Sequence, residues 1–304
     1  MYKVLVTGGC GFIGSHIVSK LVDKGFKVII IDNLSSGSLD NIRGLDVNFY
    51  HADISNHQTV EEIFYKDKPD FVIHQAAQTN VQKSISNVMN DAEINILGTI
   101  KLLELSKKYN VQKFIFASSA AVYGEPKQIP IDVIHPLNPI NPYGLSKWTS
   151  EKYIQLMASM SNLDYTILRY SNVYGPKQRS DIEGGVVSIF INSLKQGKNI
   201  NIYGDGNQIR DFIFVEDVAD ANIQALFKGS KEILNVSTQT STTINEIYRL
   251  LNDLHHINNN PIYENARHGD ILISILGNTK TKNILDWEPL HSFREGLYKT
   301  IYNN

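Results

Sequence analysis

The sequence contains one cysteine in 304 residues, so Cys10 has no internal disulfide partner, as expected for a reducing cytosol. It also lacks a long apolar run: nothing approaches the ~20 residues a membrane helix needs, and the short run at residues 3–7 meets glycines where a signal peptide would continue. No sign of charge dominates, with a formal net charge of −2, and no basic cluster offers a nucleic-acid footprint. The nine histidines are scattered, and His255 and His256 are adjacent, so they do not form the i, i+4 ligand pair of a helical metal site. These absences predict a cytoplasmic protein with no metal, membrane or nucleic-acid partner.

What is present is ordinary globular composition, 42% hydrophobic and 20% charged, with ample length to bury a core. Apolar runs at residues 4–6, 28–31, 47–50, 71–73 and 114–116 read as strands buried on both faces. Helical patterns separate them, at residues 14–24 and from about Val88 to Lys108. The alternation predicts an α/β fold, a doubly wound parallel sheet of the Rossmann type. A further strand is expected at residues 166–169, after a helix beginning near Tyr143. Beyond residue 175 the pattern is less regular. One helix there should start at Thr243, where Glu246 gives capping-box spacing, with Ile244, Ile247, Leu250, Leu251 and Leu254 on one side. We therefore expect a cofactor domain over 1–172 and a smaller mixed α/β substrate domain over 173–304, with a strand near 233–236 as a candidate to rejoin the first sheet.

Gly8-Gly9-Cys10-Gly11-Phe12-Ile13-Gly14 follows the first strand and opens the first helix. Glycine there allows a tight turn and close approach of the backbone to a pyrophosphate, and the helix N-terminus offers N–H groups to phosphate oxygens. The same turn can serve as a plain connection. Asp32, ending the second strand, is placed to bind adenosine ribose hydroxyls. Residues 33–38 hold no arginine for a 2′-phosphate, which favours NAD over NADP. Asp53, ending the third strand, is a candidate for the adenine amino group.

Tyr143 and Lys147 stand four apart at a helix start, so both project from one face. A free tyrosine titrates near ~10, and a neighbouring ammonium favours its phenolate. The spacing alone is also that of any amphipathic helical surface. Ser118 and Ser119 close the fifth strand, at the sheet edge where open α/β folds bind ligands. A hydroxyl there could share a substrate oxygen with the tyrosine, or simply cap the backbone.

With these motifs the sequence resembles the extended short-chain dehydrogenase/reductases, and within them the UDP-hexose 4-epimerases. The likeness runs from Gly8 to about Trp287 and includes Asp32-Asn33-Leu34, His74-Gln75-Ala76-Ala77-Gln78, Ser118-Ser119-Ala120-Ala121-Val122-Tyr123-Gly124, Pro142-Tyr143-Gly144-Leu145-Ser146-Lys147, Leu168-Arg169-Tyr170-Ser171-Asn172, Tyr203-Gly204-Asp205-Gly206, Arg210-Asp211 and Arg267-His268-Gly269-Asp270. The resemblance implies that Tyr143 is the base at the sugar 4-hydroxyl, that Ser119 assists it, and that Lys147 holds the nicotinamide ribose. For NAD it implies Gly8, Gly11, Phe12, Ile13, Gly14, Asp32, Asn33, Leu34, Ser35, Ser36, Gly37, Asp53, Ile54, Ala76, Ala77, Gln78 and Asn95 besides Tyr143 and Lys147. For a UDP-sugar it implies Ser119, Tyr143, Asn172, Val186, Asn201, Tyr203, Arg210, Arg267, Asp270 and Ser274. It further implies a homodimer through the helices near 88–108 and 143–160, with Trp148, Tyr153, Leu156, Met157 and Met160 as candidates for the contact.

Related dehydratases and decarboxylases carry an acid just after the strand-end hydroxyl, whereas this sequence has Ala120 and Ala121. Methyl groups transfer no protons, which leaves oxidation and re-reduction at C4. Epimerases restricted to plain hexoses place a tyrosine four residues beyond the aspartate of Arg-x-Gly-Asp; counting from Asp270 gives Ser274, small enough to admit a 2-acetamido group. Thr79 stands where some epimerases place a lysine near the cofactor. The expected function is thus an NAD-dependent UDP-sugar 4-epimerase. The alternatives are a 4,6-dehydratase or decarboxylase, a 4-keto-sugar reductase, and a non-enzymatic dinucleotide sensor.

Overall fold

The apolar runs of the first half are strands whose alternate residues serve opposite faces of one sheet. The computed structural model describes residues 1–182, 184–255, 260–266 and 271–302. In chain order, β1 (Lys3–Thr7) leads to α1 (Phe12–Asp23), β2 (Lys27–Asp32), β3 (Val47–His51), α2 (His57–Asp67), β4 (Phe71–His74), α3 (Val81–Ser86), α4 (Val88–Ala92), α5 (Gly98–Lys108), β5 (Lys113–Ser119), α6 (Pro142–Ser159) and β6 (Asp164–Tyr170). There follow β7 (Asn172–Tyr174), α7 (Val186–Lys195), β8 (Asn201–Tyr203), β9 (Ile209–Arg210), β10 (Phe212–Phe214), α8 (Val215–Ala225), β11 (Glu232–Val236), β12 (Thr242–Thr243), α9 (Ile244–His255), β13 (Ile262–Glu264), β14 (Ile273–Ser274), α10 (Thr279–Leu285) and α11 (Phe293–Tyr302).

The main sheet runs β11-β6-β5-β4-β1-β2-β3, and every pairing in it is parallel. Val4, Val6, Val28, Ile30 and Ile73 face α1 and α8, where Ile17, Val18, Leu21, Val218 and Ala221 meet them. Leu5, Ile29, Ile31, Val72 and Phe114 face α2, α5 and α6, against Phe64, Leu102 and Ile154. Both faces are therefore covered, as an all-parallel sheet requires. The doubly wound fold expected from the alternation is present. One strand departs from the expectation of double burial: β3 lies at the sheet edge and is only partly buried.

The helix expected from Val88 to Lys108 is also more broken than its pattern suggests. A π-helical segment, residues 93–97, separates α4 from α5. Such a bulge re-aims side chains at one point of a helix, and here it carries Asn95. At residue 243 the capping box forms reciprocally: Glu246 N donates to Thr243 Oγ1 at 3.1 Å and Thr243 N donates to Glu246 Oε2 at 2.6 Å.

After β6 the described residues build three small sheets, β10-β7, β12-β9-β14 and β13-β8. These close over a separate cluster with Phe190, Ile202, Phe212, Ile247, Leu251 and Leu297. Between them α8 and β11 return to the large sheet, and β11 pairs with β6. Among the described residues no helix is long and apolar enough to cross a membrane. On α6, Tyr153 and Leu156 are exposed, as is Met160 just after it, whereas Trp148 and Met157 pack within their own chain.

Candidate active site

The glycine-rich turn is shaped by close backbone contacts. Gly8 has φ +70°, and a Cβ on it would come within 2.7 Å of Ala76 N; one on Gly14 would meet Gly8 O at 2.0 Å. Gly11 N donates to Gly8 O at 3.1 Å. No side chain caps α1 at Gly11, so its first N–H groups are suited to phosphate oxygens. Asp32 is buried, and its two carboxylate oxygens accept from Cys10 N at 2.9 Å and Leu34 N at 2.8 Å. It thus braces the turn as well as ending β2, and burial holds its carboxyl above the usual range. A carboxylate has capacity for further acceptor bonds, so this bracing leaves room for ribose hydroxyls.

The rest of the expected cofactor set rings the same strand ends. Asn33 Nδ2 donates to Asp53 Oδ2 at 2.6 Å. Although burial opposes it, bonds from Ser55 and Asn33 and the charge of Lys101 hold Asp53 below the usual range. Leu34 adopts φ +57°, Ser35 is exposed, Ser36 is half-buried, and Gly37 is buried beside Cys10. Phe12 is buried and Ile13 partly so; Ile54 lies in the core on the α5 side. Ala76, Ala77 and Gln78 follow β4 and are half-buried. Gln78 N donates to Asn95 Oδ1 at 2.9 Å, and Asn95 Nδ2 returns bonds to Gln78 O at 3.0 Å and Ser146 Oγ at 3.1 Å. The π segment therefore ties the loop after β4 to α6. The donor set, the crowded glycines and the acid at the end of β2 fit a dinucleotide.

At α6, Asn141 Oδ1 accepts from Gly144 N at 2.8 Å with Pro142 in the first turn, a capped start that orients the first helical turns. Tyr143 and Lys147 face inward. The Ser119 side chain lies against the Tyr143 phenol and favours its ionised form, which brings together the strand-end hydroxyl and the phenol. Burial pushes the phenol up to about 12, with the Ser119 side chain pulling it down and Asp91 adding to the rise. That is opposite to the lowering expected from a neighbouring ammonium. Lys147 is 3% exposed, and its Nζ donates to Ala117 O at 2.9 Å and lies 4.9 Å from the Phe116 ring centre. Desolvation brings it down to about 8, against the pull of Asp91 and Glu151.

A cleft of about 870 Å³ opens among β7, α7, β8 and β9. It collects Asn172, Val186, Asn201, Tyr203 and Arg210 from well-separated stretches of sequence. Ser274 pairs in register with Arg210, and its carbonyl accepts from Asp211 N at 3.0 Å. Arg267 and Asp270, with His268 and Gly269, lie outside the described residues, as does His256.

Sequence reasoning missed several groups. Gln208 lines the cleft, and its Oε1 is buried without a hydrogen-bond partner among the described residues. Asp211 is buried and accepts from Thr238 N and Gln239 N, both at 3.0 Å, and from Leu276 N at 3.3 Å. Glu151 and Arg169 form a buried ion pair behind α6. A signal for this pair was present: Glu151 repeats the four-residue step from Lys147, and Arg169 is a charge inside an apolar strand.

A family signature described as NAD dependent epimerase/dehydratase matches residues 4–237. The chain belongs to the NAD dependent epimerase/dehydratase family. A Methanocaldococcus jannaschii protein with the provisional name UDP-glucose 4-epimerase is 45% identical over 299 residues, covering 98% of this chain and 97% of its own. The crystal structure of a Thermotoga maritima UDP-glucose 4-epimerase with UDP-glucose is 43% identical, with a TM-score of 0.96 over 98% of this chain and 97% of that one. A Methanobrevibacter ruminantium UDP-N-acetylglucosamine 4-epimerase in complex with UDP-N-acetylmuramic acid is 35% identical, with a TM-score of 0.94 over 99% and 97%. The fold of this family member therefore matches those two solved structures over nearly its whole length.

Proposed function

We propose that this chain is an NAD-dependent 4-epimerase of a UDP-sugar. The observation that carries the proposal is the meeting of the Ser119 side chain with the Tyr143 phenol at the carboxyl edge of the sheet, one helical turn before the buried Lys147. NAD, when bound, supplies the hydride acceptor and donor for C4. The turn at residues 8–14, Asp32, Asp53 and the segment held by Asn95 would bind it. Tyr143 takes the proton of the 4-hydroxyl and later returns it, while Ser119 orients the same oxygen. A buried phenol gives up its proton only with positive charge nearby, and Lys147 is the cation this chain provides there. Residues 120–122 form a 3-10 turn directly after Ser119, and two of them are alanines. No acid stands there to drive elimination, which favours epimerisation over dehydration or decarboxylation.

The cleft around Arg210 binds the nucleotide diphosphate. Arginine gives a forked, charged grip on phosphate oxygens, Asn172, Val186, Asn201 and Tyr203 line the same space, and Gln208 Oε1 accepts from the ligand. We assign cofactor binding to residues 1–172 and nucleotide-sugar binding to 173–304, apart from the α8–β11 excursion. UDP-glucose and UDP-galactose are the first substrates to test; Ser274, a small side chain beside Arg210, adds their N-acetyl forms. We assign the enzyme to the cytoplasm, in keeping with its single buried thiol. We also assign it as a homodimer in which the exposed apolar residues of α4 and α6, including Val88, Met89, Leu156 and Met160, face a second copy. Leu156→Glu with Met160→Glu should convert a dimeric elution profile to a monomeric one.

The deciding experiment incubates the protein with each UDP-sugar, with and without added NAD, and follows the anomeric proton signals. Interconversion of C4 epimers without net cofactor consumption is expected. No conversion of any sugar, together with stoichiometric oxidation of NADH by a keto sugar, would overturn the epimerase assignment.

A further inference from the structure

We propose that Glu151, clamped by Arg169, is a positioning residue that keeps Lys147 in register and charged, a role that rests on Tyr143 and Lys147 being the working pair. Glu151 is 1% exposed and sits on α6 one helical turn beyond Lys147 and two beyond Tyr143, so the three share a face. Its Oε1 accepts from Ser118 Oγ at 2.6 Å and Arg169 Nε at 2.9 Å, and its Oε2 accepts from Arg169 Nη2 at 2.7 Å. Arg169 Nη1 donates to the Tyr123 hydroxyl at 3.0 Å and to Val133 O at 3.2 Å. The Tyr123 hydroxyl donates to Asn235 Oδ1 on β11 at 2.6 Å.

The clamp therefore joins α6 to β6, to the residue just before Ser119, and to the turn just after it. A rotation or slide of α6 would break several of these bonds together, so the distance from Tyr143 to Ser119 and from Lys147 to Ala117 is held. A buried ion pair is a poor device for stability alone, since apolar residues of similar volume often serve as well. Its directional bonds fix register, which an apolar contact does less sharply.

The carboxylate also acts on Lys147 through charge. The charged and titratable groups acting on that ammonium are Asp91 from α4, Glu151 from its own helix, and His74 from the end of β4. Asp91 and Glu151 favour the charged form, and His74 is kept neutral by burial, down to about 3. Arg169 is bonded to Glu151 and opposes it only in part.

The test compares Glu151→Gln and the double variant Glu151→Gln/Arg169→Met with wild type, each checked for folding by circular dichroism. The double variant strands neither buried charge, so it remains informative if the single one does not fold. In both, kcat should fall about tenfold or more while KM for the UDP-sugar changes less than about threefold. The alkaline limb of the pH–rate profile should move down by about half a pH unit or more as Lys147 loses its proton more easily. Glu151→Asp, which keeps the charge, should bring that limb back towards wild type. A folded double variant with wild-type kcat and an unmoved limb, altered only in melting temperature, would reduce the pair to scaffolding and overturn the proposal. Tyr143→Phe separates the layers: if it keeps the wild-type rate, the underlying site assignment fails; if it is inactive while the Glu151 variants behave as wild type, only the positioning role fails.

Discussion

At the glycine-rich turn the backbone carries the shape. Gly8 and Gly14 leave no space for a Cβ, and the carboxylate of Asp32 is bonded to two backbone N–H groups. In the cleft around Arg210 the shape comes from side chains on β7, α7, β8 and β9, brought together from 172 to 210 and enclosing about 870 Å³. The first region is crowded and continuous in sequence; the second is open and assembled from pieces. A region of the first kind tolerates almost no added atom. One of the second kind can change side chains and with them the ligand, while its frame persists.

Removal of the Tyr143 phenolic hydroxyl should have the largest effect. Tyr143→Phe is expected to lower kcat about 10³-fold, the scale of a general acid–base group, with both ligands still bound, as isothermal titration would register. Gly14→Ala comes next, since its Cβ would overlap Gly8 O; it should cost about 1–3 kcal/mol in denaturant unfolding and weaken NAD binding together with stability. Arg210→Ala should instead raise KM roughly 10–100-fold, the worth of a charge-assisted bond of ~1.5–3 kcal/mol, with melting temperature nearly unchanged. If Gly14→Ala and Arg210→Ala gave the same pattern of losses, the contrast between the regions would collapse.

A smaller effect is expected from Lys147, whose ammonium is held down to about 8 by burial. Activity should decline as pH rises above about 8. Stability changes in the opposite direction: a folded pKa below the unfolded one means stability gained towards high pH and lost as pH falls through about 8. Lys147→Met should therefore melt higher than wild type, with the gain larger at neutral pH than above the ordinary lysine range of ~10.4. A variant that melts lower at neutral pH would show that the Ala117 bond outweighs the desolvation cost.

Much of the first region was legible because its signals are local. Short apolar runs marked β1, β2, β4 and β5, and the glycines at 8, 11 and 14 marked the turn between β1 and α1. Thr243 and Glu246 marked a helix start that forms as drawn. The break at residues 93–97 was not legible, since the apolar spacing runs through it and the bulge gains its use from tertiary contacts of Asn95 such as those with Gln78 and Ser146. The upward push on Tyr143 was missed for a related reason. Spacing showed a lysine one turn away, but the depth of burial and the bond from Lys147 to Ala117 come from the strands beneath.

What the sequence by itself determined is the strands of the sheet and the glycine-rich turn between β1 and α1, because helix and strand periods and glycine requirements act over a few residues. What only the tertiary structure decided is how the groups of the site are held and what surrounds them. The Glu151–Arg169 clamp, the return of β11 to the sheet, and the meeting of Asn172, Gln208 and Arg210 in one cleft depend on contacts between segments far apart in the chain. Such contacts arise from burial and close packing, which no local spacing records.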